Sequence, residues 1–186
     1  MADRYHHGSL RAQALRVAAE IVADEGPEAL SLRDLARRAG VSHAAPAHHF
    51  GDRRGLFTAL AAEGFELLGD ALQPSVDARD FARTAVAYVE FATAHPGHFA
   101  VMFRPSLLDP DDAVLHEAQA RAAGLLQAGF DSVPDDRIRI GREDARQASW
   151  ALVHGLADLM LSGALPGADL ERLTLAAARQ LLGDDA

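Results

Sequence analysis

Nine histidines, eighteen basic residues that are all arginine, and no cysteine bound the chemistry open to this 186-residue chain. Without cysteine, disulfides, thiolate nucleophiles and cysteine-based zinc sites are excluded. The sequence holds no Gly-x-Ser-x-Gly elbow, no P-loop and no dinucleotide fingerprint, so a hydrolase or transferase has no anchor. No enzymatic activity and no cofactor are expected. Metal binding is the better rival. His95 and His98 are three apart, but Pro96-Gly97 between them breaks helical geometry; a metal-sensing body would add His116 or His154. Asp131, Asp135 and Asp136 resemble the opening of a calcium loop. Counted from Asp131, however, the required glycine is Asp136 and the terminal glutamate is Arg142, so the match fails.

The remaining chemistry-bearing residues fall into two groups. His43, His48 and His49 lie close together among Arg33, Ser42 and Arg53. Further on, aromatic, Met and His side chains recur from Phe91 to His154. Net charge divides the same way. Through Leu56 there are eight Arg against seven Asp and Glu, a balance of +1, while the remainder has ten against twenty, a balance of −10. The acidity thus lies in the C-terminal part; the N-terminal part is not strongly basic, and five of the nine histidines (His6, His7, His43, His48, His49) add positive charge there below neutral pH.

The elements that carry the first group are legible. Leu10, Ala14, Val17, Ala18, Ile21 and Val22 recur at helical spacing, with Ser9 as N-cap and Gly26-Pro27 as the stop. Ser31 caps a second helix over 32–39, with Asp34 three residues on. Gly40 ends it, Val41 follows, and Ser42 caps a short third helix reaching about His49. Asp52 caps a long fourth helix running to about Leu72. Two helices joined by a turn at Gly40 describe a helix-turn-helix. Leu35, Val41 and Phe50 pin it to the first helix, leaving His43, Ala44, Ala47 and His48 on the exposed side.

Gln73-Pro74-Ser75 reads as a domain boundary. Beyond it, helices fit about 80–94, a short piece to Phe103, 113–127, 143–164 and 169–182, separated by His95-Pro96-Gly97, Arg104-Pro105, Asp109-Pro110, the 131–141 loop and Leu165-Pro166-Gly167. No strand-period segment and no repeat is present, so the fold class is all-α, with a helix-turn-helix domain over 1–52, a linking helix over about 53–72 and a helical domain over 73–186. Hydrophobic residues form 49% of the chain, enough for a buried core. There is no apolar run of about 18 residues and no secretory leader, so no membrane segment and a cytoplasmic location are expected.

The segment 31–57, SLRDLARRAGVSHAAPAHHFGDRRGLF, resembles the DNA-binding head of the TetR (tetracycline-repressor-like) family. The likeness lies in Leu35-Ala36, Ala39-Gly40-Val41-Ser42, His49-Phe50, Asp52, Arg53 and Leu56. Downstream, Trp150, His154 and Gly155 resemble the Trp-x-x-x-His-Gly motif of a subset of that family. The resemblance implies a ligand-responsive, dimeric repressor acting on a double-stranded DNA operator, with a small-molecule effector. Three positions depart from the family pattern: Ala47 replaces a phosphate-touching Tyr, Arg53 replaces Lys, and Pro46 stands inside the recognition helix.

On this reading the third helix enters the major groove with its N-terminal part toward the bases. His43, Ala44 and His48 are the base-facing candidates: an imidazole can donate to guanine, and an Ala methyl can pack on thymine. Arg33, Ser42, His48 and Arg53 are the phosphate candidates, with Ala47 on the same face. Met1 to Ser9, with Arg4, Tyr5, His6 and His7, forms an arm able to reach a neighbouring groove. Candidates for the effector cavity are Phe91, His95, Phe99, Met102, Phe103, Leu107, His116, Trp150 and His154. Two apolar stripes, Trp150-Val153-His154-Ala157-Leu161 and Leu152-Leu156-Leu159, make the penultimate helix apolar on several sides. One side can face the domain core and the other a partner subunit; the last helix repeats the pattern with Leu170, Leu173, Ala177 and Leu181, and the resemblance implies that these two helices form a homodimer interface. The alternatives are a metal-sensing regulator and a helical interaction protein whose DNA binding is weakened at Ala47.

Overall fold

The computed structural model describes residues 2–182, with side chains from Leu10 onward. It contains α1 (Ala2–Glu25), α2 (Leu32–Ala39), α3 (Ala44–Phe50), α4 (Arg53–Asp77), α5 (Phe81–Ala94), α6 (Pro96–Met102), α7 (Ala113–Asp131), α8 (Arg142–Leu161) and α9 (Leu170–Leu182), with short 3-10 turns at Pro27–Ala29, Pro105–Leu107 and Asp135–Arg137. Among the described residues there is no strand, and the chain is all-α. Among the described residues no helix is long and apolar enough to cross a membrane.

The chain forms two compact units, each discontinuous in sequence: one holds the residues up to Phe65 and His95–Ala118, the other Glu66–Ala94 and the residues from Gln119. The head expected over 1–52 lies wholly in the first. The body expected over 73–186 supplies 95–118 to the first and the rest to the second.

In the first unit, α1 buries Ala14, Leu15, Val17, Ala18, Ile21 and Val22 against α2, α3 and α6. Each fully buried Leu or Ile contributes about 1.5–3 kcal/mol. The approach of α6 is close. A Cβ on Gly97 would lie 2.0 Å from the Ala19 carbonyl oxygen, so only glycine fits where α6 begins. Between α4 and α6, His98 Nε2 meets Glu63 Oε2 at 3.0 Å. In the second unit α5, α8 and α9 pack on one another around the wholly buried Tyr88, and Phe130, Val133, Ala145 and Leu182 form a core cluster with Phe81 against it.

Several boundaries differ from the sequence reading, each for a local reason. Helix α1 is already helical from Ala2, so Ser9 lies inside it rather than at its start; the side chains of Arg4, Tyr5, His6, His7 and Ser9, and with them the DNA-reaching arm, lie outside the described residues. Ser42 is not the cap of α3 either. That place falls to His43, whose side chain makes no capping bond, and the helix begins at Ala44. Pro46 therefore stands in the first turn, where its missing N–H has no intrahelical partner.

Pro74 does not end α4, which runs on to Asp77. Ser75 Oγ donates to the Leu72 carbonyl at 2.9 Å, and Gln73 donates to Asp77 at 2.8 Å, holding the last turn together past the proline. The chain then leaves through Arg79, in the left-handed region at φ 56°, with the Asp80 N–H closing on the Ser75 carbonyl. The caps at Ser31 and Asp52 stand where expected, and Asp80 and Asp169 do the same work further on: each side-chain oxygen accepts from the backbone N–H three residues on, at 3.1, 2.8, 3.0 and 2.9 Å.

Candidate nucleic-acid interface

The interface is built on α2, a turn, and α3. Gly40 sits at φ 67°, and its N–H and that of Val41 close on the Ala36 and Arg37 carbonyls, the turn chemistry that lets α3 leave at an angle. Gln13 Nε2 ties the end of α2 to α1 by donating to the Ala39 carbonyl at 3.0 Å. Leu35, Ala36 and Ala39 of α2 and Pro46 and Phe50 of α3 are buried. Ser42, His43, Ala44, Ala47 and His48 are exposed together on the opposite side. His49 is half-buried, with its ring edge-on to His48 at 5.6 Å and tilted against Phe50 at 6.3 Å.

The arginines divide by what already holds them. Arg37 and Arg38 both bind Asp34, and Arg38 also binds Glu25 at 2.6 Å. Hydrogen bonding from Arg37 keeps the Asp34 carboxyl below the usual carboxylate range. Arg53 donates to the Pro27 carbonyl at 2.7 Å and lies over the Phe57 ring at 5.0 Å, so its guanidinium tethers α4 to the turn after α1. That is a structural role the sequence did not disclose. Arg33 and Arg54 are exposed, and among the described residues neither side chain has an ion pair or hydrogen bond. Arg54 escaped the sequence reading. Its neighbour Arg53 matches the family's basic position, and only the fold shows which of the two is tied down.

The effector candidates fall in both units. His95, Phe99, Met102, Phe103, Leu107 and His116 belong to the first unit, and Phe91, Trp150 and His154 to the second. In the first, Phe103 contacts Phe65 and Phe99 at ring distances of 5.5 and 5.3 Å, and Met102 is buried beside Gly64. His95 lies 5.8 Å from His98; burial, then the neighbouring His98, push its pKa down, against an opposing pull from Glu63. His116 is on the surface. In the second unit Phe91 is buried, whereas Trp150 is 45% exposed.

His154 lies beneath Trp150, ring to ring at 5.7 Å, and its Nδ1 is 2.9 Å from the Tyr88 hydroxyl. Burial pushes the His154 pKa down, against the pull of Asp158, and pushes the Tyr88 hydroxyl well above its ordinary value. The sequence reading did not single out Tyr88 as the partner of His154. The spacing Trp150-x-x-x-His154 places two polar tips on one helix face, but only the packing of α5 shows what they meet.

Among the described residues no three His, Asp or Glu side chains converge to hold a metal ion. Asp131 and Asp135, read as a calcium-loop fragment, instead take Arg142 at 3.7 and 2.5 Å.

Residues 14–60 match bacterial regulatory proteins of the tetR family, and residues 81–181 match the tetracyclin repressor-like C-terminal domain. A protein of unknown function from Rhodococcus sp. RHA1 is similar over 96% of both chains, with 37% identity and a TM-score of 0.77. A TetR family transcription regulator from Marinobacter aquaeolei VT8 shares 21% identity over 99% of this chain and 100% of its own, with a TM-score of 0.72. NalD of Pseudomonas aeruginosa, the secondary repressor of the MexAB-OprM multidrug efflux pump, shares 20% identity over 94% and 95% of the two chains, with a TM-score of 0.62. No curated protein matches the sequence. With an exposed recognition face on a helix-turn-helix and family matches spanning both head and body, this chain belongs to the TetR family and is a DNA-binding transcription regulator, not an enzyme.

Proposed function

We propose that the protein is a homodimeric repressor that reads a two-part operator through α3 and is released by a small-molecule effector. One observation carries this reading: Ser42, His43, Ala44, Ala47 and His48 form a continuous exposed face, while Pro46 and Phe50 fix the back of the same helix in the core. His43 and His48 supply donors for base edges, and Ala44 and Ala47 supply methyls for thymine. With Ala47 in place of the usual Tyr and Arg53 turned inward to Pro27, Arg33 and Arg54 become the phosphate contacts of the head, together with Ser42. The Trp-His-Gly subset is assigned on Trp150, His154 and Gly155, and NalD, described as a repressor, supplies the likeness for the direction of regulation.

Pairing is assigned to α8. Its exposed side carries Ala151 and Gly155 at the centre, flanked by Trp150, Leu152, Leu159 and Leu161, which are 45, 36, 47 and 37% exposed. A Cβ on Gly155 would meet nothing within 4 Å, so a second helix has room to approach. Leu156, Val153 and Ala157, members of the two apolar stripes, are buried within the chain itself.

Footprinting on the DNA upstream of the protein's own gene, paired with transcription in vitro from that promoter, tests the proposal. Two protected half-sites and fewer transcripts with added protein support it. An unprotected template, or transcripts that rise with protein, overturn it.

A further inference from the structure

Within the second unit, the turn into α5, the loop after α7 and the last residue of α9 line a half-open cavity of about 240 Å³. Its floor is apolar. Phe81, Val133 and Leu182 line it, and the same side chains belong to the core cluster of this unit or pack against it. The Phe81 ring is held edge-on to Phe130 at 5.7 Å. Three charged side chains complete the lining: Arg79 and Asp80, both exposed, and Arg137, half-buried.

Both walls are fixed by bonds within the chain. On one side the Arg79 and Asp80 N–H groups close on the Val76 and Ser75 carbonyls, each at 3.0 Å. On the other, Arg142 donates to the Val133 carbonyl at 2.9 Å and Ser132 Oγ to the Gly129 carbonyl at 2.7 Å. Arg79 stands at φ 56°, where glycine sits with less strain. The residue at this position is nonetheless an arginine, and among the described residues its side chain has no ion pair or hydrogen bond. Arg137 does interact within the chain. A guanidinium has five N–H donors, so Arg137 can serve a ligand while being held in place.

We propose that this cavity binds a small organic carboxylate, a single negative charge on a compact apolar body such as an aromatic ring. A carboxylate is planar and accepts two parallel N–H bonds from a guanidinium fork. The apolar body covers the Phe81, Val133 and Leu182 surfaces, which inorganic phosphate would leave wet. Asp80 limits the charge. Its Oδ1 caps α5 by accepting from the Arg83 N–H at 3.0 Å, and its carboxylate in the lining opposes a second negative charge on the ligand. The volume lies below the roughly 300–1,000 Å³ of sites for drug-sized molecules, so the occupant is small. The site is distinct from the effector candidates of this unit, because Phe91 is about 15 Å further along α5 than Phe81. Neither pairing through α8 nor release from DNA is needed for such binding.

Titration of the chain with sodium benzoate, followed in two-dimensional proton–nitrogen NMR spectra, tests the site. The amide shifts should saturate with a dissociation constant below about 1 mM and centre on residues 79–82 and 132–137. Benzamide keeps the ring without the charge, and acetate keeps the charge without the ring. Each should bind at least about tenfold more weakly. Arg79→Gly removes one guanidinium and relaxes the backbone, so it should melt no lower than the wild type and bind benzoate at least about tenfold more weakly. Arg137→Gln, its folding checked by circular dichroism, should weaken binding in the same direction. Shifts that remain linear up to about 10 mM benzoate, or that centre on Phe91, Trp150 and His154, overturn the proposal. So does benzamide or acetate binding as tightly as benzoate, and so does wild-type affinity in Arg79→Gly.

Discussion

At the scale of single residues, what matters is which polar groups the fold has already used. Arg53 spends its guanidinium on the Pro27 carbonyl and the Phe57 ring. Arg53→Ala should therefore lower the stability of the head by about 1–2 kcal/mol, read in chemical denaturation, with a small change in DNA affinity once folded protein is compared. Arg33→Ala and Arg54→Ala should do the reverse. Each should leave the denaturation midpoint unchanged and reduce the salt dependence of binding by about 0.9 in log–log slope, the signature of one lost phosphate contact. His95 and His154 both have native pKa values pushed below the ordinary value by burial. Below about pH 6.5 the unfolded chain takes up protons at these positions before the native one does. Their contribution to stability is thus complete above that pH and is lost as pH falls through the lowered native values. Unfolding free energy measured from about pH 7.5 to about pH 5 should decline, and His154→Gln should flatten part of that decline. Residue types advertised the donors and acceptors of these groups; their partners, Pro27 for Arg53 and Tyr88 for His154, lie far away in sequence and could not be read from it.

At the scale of elements, the helices of the head were legible because their signals are local. Ser31 accepts from the Asp34 N–H, and Gly40 supplies the left-handed turn. Ser31→Ala should cost about 1 kcal/mol of stability, measured by denaturation, and lower DNA affinity in step as α2 frays. Where an element depends on its neighbours, local signals failed. Pro74 reads as a stop, yet Ser75 and Gln73 supply side-chain bonds that carry α4 to Asp77. Gly97 reads as part of a helix break. It also marks the point where α6 meets the Ala19 carbonyl, 2.0 Å from where a Cβ would stand. Gly97→Ala should destabilise the first unit by roughly 1–3 kcal/mol, visible as a lowered melting temperature, because neither backbone can give way without unpacking.

At the scale of the whole molecule, the unit of function proposed above is a pair of chains. Two copies present two copies of α3, so protected half-sites should be centred about 34–36 Å apart, or a multiple of that, along the duplex. Leu156 and Leu159 separate folding from pairing. Leu159 is 47% exposed and Leu156 is 8% exposed in the single chain. Leu159→Asp should give a folded monomer with weakened operator binding, and Leu156→Asp should give unfolded protein, because it buries an unpaired charge. Sedimentation and circular dichroism on the two variants check both outcomes.

The sequence by itself determined the all-α class, the helix-turn-helix around Gly40 and the exposed side of α3, because helical periodicity, caps and turn glycines act over a few residues; the family was legible through the resemblance of residues 31–57. Tertiary structure alone decided that Arg53 is a tether, that Leu156 faces inward while Leu159 faces out, that the effector candidates divide between two discontinuous units, and that His154 meets Tyr88. Apolar spacing shows that a helix has buried sides, but which neighbour buries each side depends on contacts between residues distant in the chain. Those contacts form only when the helices pack.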